Sequence, residues 1–164
     1  MWKSYLSSFC NKNKFQERIK KTPGFKKHIH SHSLSFATSP TLYLGTVGPG
    51  GEHELYDGKL RFMDDEGVIL NDQISPERYL EFIAERSVNW SYLKYPYYKP
   101  YGFDKGFYRV GPLARLNICS RMKTPLAQEE FEKFRQINGG RPVHGTFYYH
   151  YTRLIEALSD VEDA

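Results

Sequence analysis

The chain has 164 residues, enough for one domain of ordinary size, and no run of it approaches the roughly twenty apolar residues that a transmembrane helix requires. Its formal net charge of +4 is uneven, because residues 1–32 hold eight Lys/Arg and one acidic residue, whereas the rest holds fifteen and eighteen. The two cysteines, Cys10 and Cys119, are 109 positions apart, which excludes a disulfide framework and a Cys-x-x-Cys metal motif. Since no apolar segment typical of a secretory signal is present, the cytoplasm is the expected location.

Residues 1–38 are predicted to form a basic N-terminal arm with a polar helix at about 11–21. Its cations are Lys12, Lys14, Arg18, Lys20, Lys21, Lys26 and Lys27. Such an arm can contact nucleic acid or anionic lipid through phosphates, but we favour a solvated helix face. His28, His30 and His32 alternate and would share one face of a strand. Because no acid or thiol lies near them, a solvated segment is favoured over a metal site.

Residues 39–74 are predicted to form an antiparallel meander of three or four strands. The short apolar runs TLYLGTV, EHELY, KLRFM and VIL alternate with the turn sequences GPGG, Asp57-Gly58 and DDEG. An Asp-Gly pair between two such runs is typical of a two-residue type I′ hairpin. The glycine-rich GPGG sequence could hold a phosphate, but no Gly-Lys-Ser/Thr follows it, so a hairpin loop is favoured.

Residues 75–164 are predicted to be mainly helical, which makes the fold class α+β. Ser75 followed by Pro76 is a typical helix start, and a helix to about Val88 is expected. Its inner face would be formed by Tyr79, Phe82, Ile83 and Arg86. Three further helices are predicted: Pro112–Met122, one from Thr124-Pro125 to Gly139-Gly140, and one from about Phe147. The last apolar stripe ends at DVEDA without a capping glycine, which suggests a chain that is cut short.

An aromatic loop is predicted at residues 89–111. Nine aromatic residues fall within positions 90–108, interrupted by Pro96, Pro100 and two glycines. Because proline lacks a backbone N–H, the segment is expected to be irregular and buried by its own rings. The rings also alternate with Lys94, Lys99, Lys105 and Arg109. That composition is typical of a platform for single-stranded nucleic acid, but self-packing is the favoured interpretation.

Two other sets of residues could carry chemistry. Cys119 could act as a nucleophile with His144 or His150 as its base, although ordinary core and polar roles are favoured. Glu81 and Glu85 lie one helical turn apart and could form a carboxylate pair, although a solvated helix face is favoured.

Three sequences, YDGKLR, SYLKYPYYKP and YRVGPLARLN, occur in an order that resembles the [NiFe]-hydrogenase large subunit of the soluble, cytoplasmic, NAD-linked type. The resemblance runs from about Pro40 to Ser159 and implies an internal fragment of that subunit's fold. Its implied partners are an iron-sulfur small subunit and the remainder of the large subunit, with neither nucleic acid nor a membrane expected.

The resemblance implies a parent enzyme that oxidises H2 or reduces protons at a nickel-iron centre and passes electrons to a soluble carrier such as NAD(P). Four cysteine thiolates in two Cys-x-x-Cys pairs hold that centre in the family. Because this chain lacks such pairs, no catalytic, cofactor-binding or metal-binding residue is carried over, and the chain alone is expected to be inactive.

The motif residues that do transfer are scaffold positions around the active-site region. They are Tyr108, Arg109, Gly111, Pro112, Leu113, Ala114 and Arg115. Arg115 is expected to make a buried ion pair or backbone contacts. The alternative function is a non-catalytic binding or assembly module that uses the basic N-terminal arm.

Overall fold

The computed structural model describes residues 17, 38–39 and 41–163, and the chain divides into two units. One unit is Ser39–Ser120, and the other comprises Met1–Thr38 together with Arg121–Ala164. The predicted arm helix and the three alternating histidines lie outside the described residues. The domain boundary between residues 38 and 39 therefore stays a prediction.

Six strands form two sheets in the Ser39–Ser120 unit. In chain order they are β1 (Leu42–Val47), β2 (Lys59–Met63), β3 (Ile69–Ile74), β4 (Ile83–Val88), β5 (Ser91–Tyr98) and β6 (Tyr108–Arg109). The larger sheet has the order β3-β2-β1-β6, with β1, β2 and β3 antiparallel and β6 parallel to β1. The predicted α+β class, with an antiparallel meander, is confirmed.

The meander is held by a cluster of buried apolar side chains. Leu42 and Leu44 of β1, Phe62 of β2 and Ile74 of β3 belong to it, and Tyr98 of β5 completes it. Leu42 and Leu44 share a face because side chains two apart on a strand point the same way. Full burial of an aliphatic or phenylalanine side chain contributes about 1.5–3 kcal/mol, so this cluster accounts for much of the sheet's stability.

The connection between β1 and β2 is longer than the two-residue hairpin that the sequence predicts. EHELY is not a strand, since only His53 makes an isolated bridge, to Val47. Neither Asp57 nor Gly58 has the positive φ of a type I′ turn. The prediction was wrong because Glu54 bonds locally: its carboxylate accepts the next two backbone N–H groups at 2.9 and 3.1 Å, an alternative to strand pairing.

The two other predicted turns are present. The Gly51 N–H donates to the Gly48 carbonyl at 2.9 Å, and Gly51 has a φ of 78°. Between β2 and β3, the Asp64 carboxylate accepts two backbone N–H groups of the turn at 3.0 and 2.7 Å, and Gly67 has a φ of 96°. Glycine suits both positive-φ positions because it has no Cβ.

A β-hairpin replaces the helix predicted over Pro76–Val88 and the first half of the predicted aromatic loop. After a 3-10 turn at Pro76–Arg78 and one helical turn, α1 (Tyr79–Phe82), the chain enters β4, which pairs antiparallel with β5. The helix start was predicted correctly, but its length was wrong. The tyrosine-rich β5 offers β4 a strand partner, and strand pairing overrides a weak helical pattern.

Pro96 fits within β5 because both strands of a two-stranded sheet are edge strands, where a missing N–H is tolerated. Proline excludes only central strands, and this hairpin has none, so the prediction of an irregular segment was wrong for β5. The half of the chain predicted to be helical thus begins with a β-hairpin.

Two further helices follow in this unit, α2 (Gly102–Lys105) and α3 (Pro112–Ile118), with a 3-10 turn at Lys99–Tyr101. The predicted helix from Pro112 is confirmed, although it ends four residues early. It lies so close to β1 that a Cβ built at Gly45 would be 2.7 Å from Ile118 Cδ1. Gly45 therefore sets the distance between the sheet and α3.

The unit with Arg121–Ala164 contains α4 (Pro125–Gln136) and α5 (Tyr148–Asp163), which confirms both predicted helices. Phe131 and Phe134 of α4 and Ile155 and Leu158 of α5 are buried, as their three- and four-residue spacing predicts.

Two polar contacts join these helices. The Glu162 carboxylate accepts the first free N–H groups of α4, those of Leu126 and Ala127, at 3.0 and 2.8 Å. Glu130 is fully buried and accepts a hydrogen bond from the Tyr151 hydroxyl at 2.9 Å. Burial and the neighbouring carboxylate raise the pKa of Tyr151 well above its usual range.

Candidate functional site

The scaffold motif begins where the chain returns to the sheet. Tyr108 and Arg109 form β6 and pair with Leu42 and Tyr43 of β1. Gly111 then takes a φ of 83° as the residue before α3, and Pro112 occupies the first turn of the helix. A side chain with a Cβ is strained at that φ, so the Gly-Pro pair sets the sharp turn from strand to helix.

The next three motif residues lie on α3. Leu113 and Ala114 have no exposed surface, whereas Arg115 is half-buried. The Arg115 N–H donates to the Gly111 carbonyl at 2.9 Å, and its Cγ would be 3.0 Å from a Cβ at Gly45. The methylene stem of Arg115 thus packs on β1. The predicted buried ion pair of Arg115 stays a prediction.

Arg61 of β2 holds the sheet and α3 together, a role that sequence reasoning missed. Its Nε and Nη2 donate to the two carboxylate oxygens of Asp72 on β3 at 2.8 and 2.7 Å. Its Nη1 donates to the carbonyl of Ile118, the last residue of α3, at 2.9 Å. The planar guanidinium suits this forked arrangement, which lysine could not reproduce.

The Arg61 guanidinium lies within a tight shell of neighbours. Only 9% of its side chain is exposed, compared with 39% for Asp72. A Cβ at Gly51 would be 3.2 Å from both terminal guanidinium nitrogens. The Arg61 hydrogen bonds hold the pKa of the Asp72 carboxyl below its usual range, so the pair is charged at neutral pH. The signal for this residue was a lone arginine between Leu60 and Phe62 in an apolar strand.

Aromatic rings line the junction between the hairpin and the sheet. Phe62 contacts Tyr98 at a ring-centroid distance of 4.5 Å and Tyr108 at 5.9 Å, edge to face. The Tyr98 hydroxyl donates to the Asn71 side chain on β3. Here the rings pack on one another as predicted.

The prediction of burial fails at the far end of the hairpin. Trp90 is 79% exposed and Tyr92 is 97% exposed, although Trp90 lies 5.8 Å from the ring of Tyr95. The prediction rested on composition, which does not distinguish rings that face the sheet from rings at a hairpin turn. The exposed apolar end of the hairpin is a candidate interaction surface.

Cys119 is not placed to act as the nucleophile considered from the sequence. It is 1% exposed, and its Sγ lies 3.8 Å from the Leu116 carbonyl oxygen. His144 and His150, the bases considered for it, belong to the other unit. Cys119 is therefore a core residue rather than an accessible nucleophile.

Glu81 and Glu85 do not share a helix face, so the predicted carboxylate pair is wrong. Glu81 lies on α1 and pairs with Arg78 at 2.6 Å, whereas Glu85 lies on β4 and pairs with Lys94 at 3.4 Å. The change from helix to strand between them separates the two carboxylates.

A nickel-iron centre does not fit the ligands of this chain. Four thiolates are needed by the family scheme, and the whole sequence has two cysteines. Among the described residues, no group of three or more His, Cys, Asp or Glu side chains is placed to hold a metal ion. The same residues contain no helix that is long and apolar enough to cross a membrane.

Two known proteins share much of this sequence, although no family model matches it. A polypeptide of the F420-non-reducing hydrogenase vhu of Methanocaldococcus jannaschii is 44% identical over 124 residues, which are 76% of this chain and 29% of the relative. The beta subunit of the NAD-reducing hydrogenase HoxS of Cupriavidus necator is 38% identical over 128 residues, 78% of this chain and 26% of the relative.

A solved structure shares the fold. It is the crystal structure of an NAD+-reducing [NiFe]-hydrogenase in the H2-reduced state, with a TM-score of 0.83 and 35% identity. The match covers 92% of this chain and 34% of the solved chain. This chain therefore spans about a third or less of the proteins that it matches.

Proposed function

We propose that this chain, which is homologous to part of the [NiFe]-hydrogenase large subunit, serves as a scaffold segment of such a subunit and supplies none of the nickel ligands. The observation that carries the proposal is the combination of 44% identity over 124 residues with two cysteines in the whole sequence. The fold of the segment is retained, and the thiolate chemistry must come from elsewhere.

In a complete enzyme, the segment would contribute to H2 oxidation or proton reduction. The remainder of the large subunit and an iron-sulfur small subunit would be its partners, in the cytoplasm. The relatives include F420-non-reducing and NAD-reducing hydrogenases, so we assign no electron carrier. A soluble carrier such as NAD(P) fits the second class.

The chain's own residues support this role by fixing a rigid wall. Arg61 ties two strands to the end of α3, while Gly45 allows α3 to approach the sheet closely. A wall of this kind excludes water and holds its neighbours in register, which is what a scaffold around a buried metal must do.

The alternative, an assembly module with a basic N-terminal arm, stays a prediction because the arm lies outside the described residues. Deletion of residues 1–32 would abolish salt-dependent retention on heparin if that arm binds polyanions.

Elemental analysis of the purified chain, with an assay of H2-dependent dye reduction, tests the proposal. We expect no stoichiometric nickel and no dye reduction, with the intact Methanocaldococcus jannaschii hydrogenase as the positive control. One nickel per chain, or turnover of H2 by the chain alone, would contradict the proposed role.

A further inference from the structure

The turn end of the β4–β5 hairpin exposes an unusual set of large apolar side chains. Trp90 is 79% exposed, Tyr92 is 97% exposed and Leu93 is 59% exposed. Leu80 of α1 adds a 62% exposed side chain. Single exposed apolar residues are ordinary, but several on one short projection are typical of an interaction surface.

The exposed end is held in place rather than loosely attached. The Arg86 guanidinium lies 4.5 Å from the ring centroid of Phe103, which itself meets Tyr97 edge to face at 5.6 Å. Nearer the turn, Lys94 pairs with Glu85 at 3.4 Å across the two strands. Aromatic anchors on a rigid support lose little conformational entropy when they bind, which favours tight docking.

The chemistry of the hairpin disfavours two possible occupants. Addition of a strand from a second copy would need a clean edge, but Pro96 removes an N–H from β5, and Glu85 and Lys94 place charges along the strands. Nucleic acid would need a basic track, but those two charges neutralise each other.

The lengths of the relatives point to another occupant. The aligned segment makes up 29% of the Methanocaldococcus jannaschii relative, and the fold match covers 34% of the solved hydrogenase chain. About two thirds or more of each relative therefore has no counterpart here, and it is the polypeptide available to cover an apolar projection on the segment that is shared.

We propose that the hairpin end, with Trp90 and Tyr92 as anchors, docks against the part of a hydrogenase large subunit that has no counterpart in this chain. This inference rests on the proposed function and assigns it a contact surface. The surface has two aromatic anchors flanked by Leu80 and Leu93, so the partner surface is an apolar pocket of that remaining polypeptide.

Hydroxyl-radical footprinting tests the proposal directly. The probe is the Methanocaldococcus jannaschii large subunit in which the matching segment is exchanged for that of this chain, compared with this chain alone. Labelling of Trp90 and Tyr92 should fall about tenfold in the exchanged subunit, the change expected when an exposed anchor becomes fully packed. Tyr56, which is 90% exposed but lies on the β1–β2 connection, is the control and should label strongly in both.

Variants give a second measurement. Trp90→Ser and Tyr92→Ser should leave the melting of the isolated chain unchanged and should lower the yield of the folded, exchanged subunit at least about fivefold, whereas Tyr56→Ser should not. If the exchanged subunit does not accumulate, footprinting is done on this chain co-expressed with the rest of the relative as a separate polypeptide.

Equal labelling of Trp90 and Tyr92 with and without the remaining polypeptide would overturn the docking proposal. So would equal protection of Tyr56, which indicates aggregation, or concentration-dependent protection in the isolated chain, which indicates a second copy. Each of these results would leave the scaffold role intact, because that role fails only if the isolated chain holds nickel or turns over H2.

Discussion

Replacement of Arg61 by methionine should destabilise the chain by about 2–4 kcal/mol. The change removes three hydrogen bonds, two to Asp72 and one to the Ile118 carbonyl. The buried carbonyl loses its partner, at a cost of about 1–3 kcal/mol. The Asp72 carboxylate is 39% exposed, so water replaces part of its loss, and its contribution is less than that of a fully buried pair.

Urea denaturation followed by circular dichroism measures this loss, and the melting temperature should fall by about 5–10 °C for a chain of this size. Arg78→Met is the matched control, because the Arg78–Glu81 pair has similar distances but is 61% and 54% exposed. That variant should melt like the original chain. Equal effects of the two substitutions would refute the reasoning that burial and the carbonyl contact give Arg61 its importance.

The pH dependence provides a separate check on the same pair. Because Arg61 lowers the folded-state pKa of Asp72, its contribution is complete above the ordinary aspartate pKa of 3.8 and is lost as the pH falls through the lower folded value. Between about pH 4 and pH 2, the original chain should therefore lose more stability than Arg61→Met. Parallel acid profiles would contradict a charged Arg61–Asp72 pair.

Three further substitutions test other contacts. Gly106→Ala should cost about 3 kcal/mol in urea denaturation, because its Cβ would lie 2.5 Å from two backbone carbonyl oxygens, and a neutral result would mean that the backbone relaxes there. Tyr151→Phe should cost about 1–3 kcal/mol by leaving buried Glu130 with one donor fewer, and the Tyr151 hydroxyl should stay protonated when the other tyrosines titrate in alkaline absorbance measurements. Glu162→Ala should cost about 1–2 kcal/mol in thermal melting through loss of the α4 cap, whereas exposed Asp160→Ala should cost nothing measurable.

Helices with clear start and stop residues were predictable from sequence. The α4 helix begins at the predicted Pro125, and the predicted Gly139-Gly140 stop has φ values of 59° and 84°. Local chemistry decides such ends, since proline fixes its own φ and glycine accepts a positive one. Thr124 was nevertheless the wrong cap, because it makes no side-chain cap hydrogen bond. Glu162, 36 residues beyond Leu126, caps α4 instead, and no local pattern indicates so distant a partner.

The remaining errors have the same physical origin. The helix over Pro76–Val88 was wrong because β4 depends on pairing with β5, which a local helical pattern does not reveal. Arg61 was missed because its importance comes from Asp72 and the end of α3, which lies 57 residues away. The scaffold motif was found by its resemblance, and its geometry at Gly111 explains the glycine, but no local pattern indicated that the hairpin end would be exposed.

The central claim is that this chain is a working scaffold segment of a hydrogenase large subunit. The most direct measurement is H2-dependent dye reduction by the Methanocaldococcus jannaschii enzyme after the matching 124-residue segment of its large subunit is exchanged for that of this chain. We predict that the exchanged enzyme assembles, holds nickel and reduces the dye at a rate within about tenfold of the unaltered enzyme, because the exchanged residues position the site without acting in the chemistry. Assembly with nickel but no H2-dependent reduction, or no assembly where the unaltered enzyme assembles, would contradict the claim.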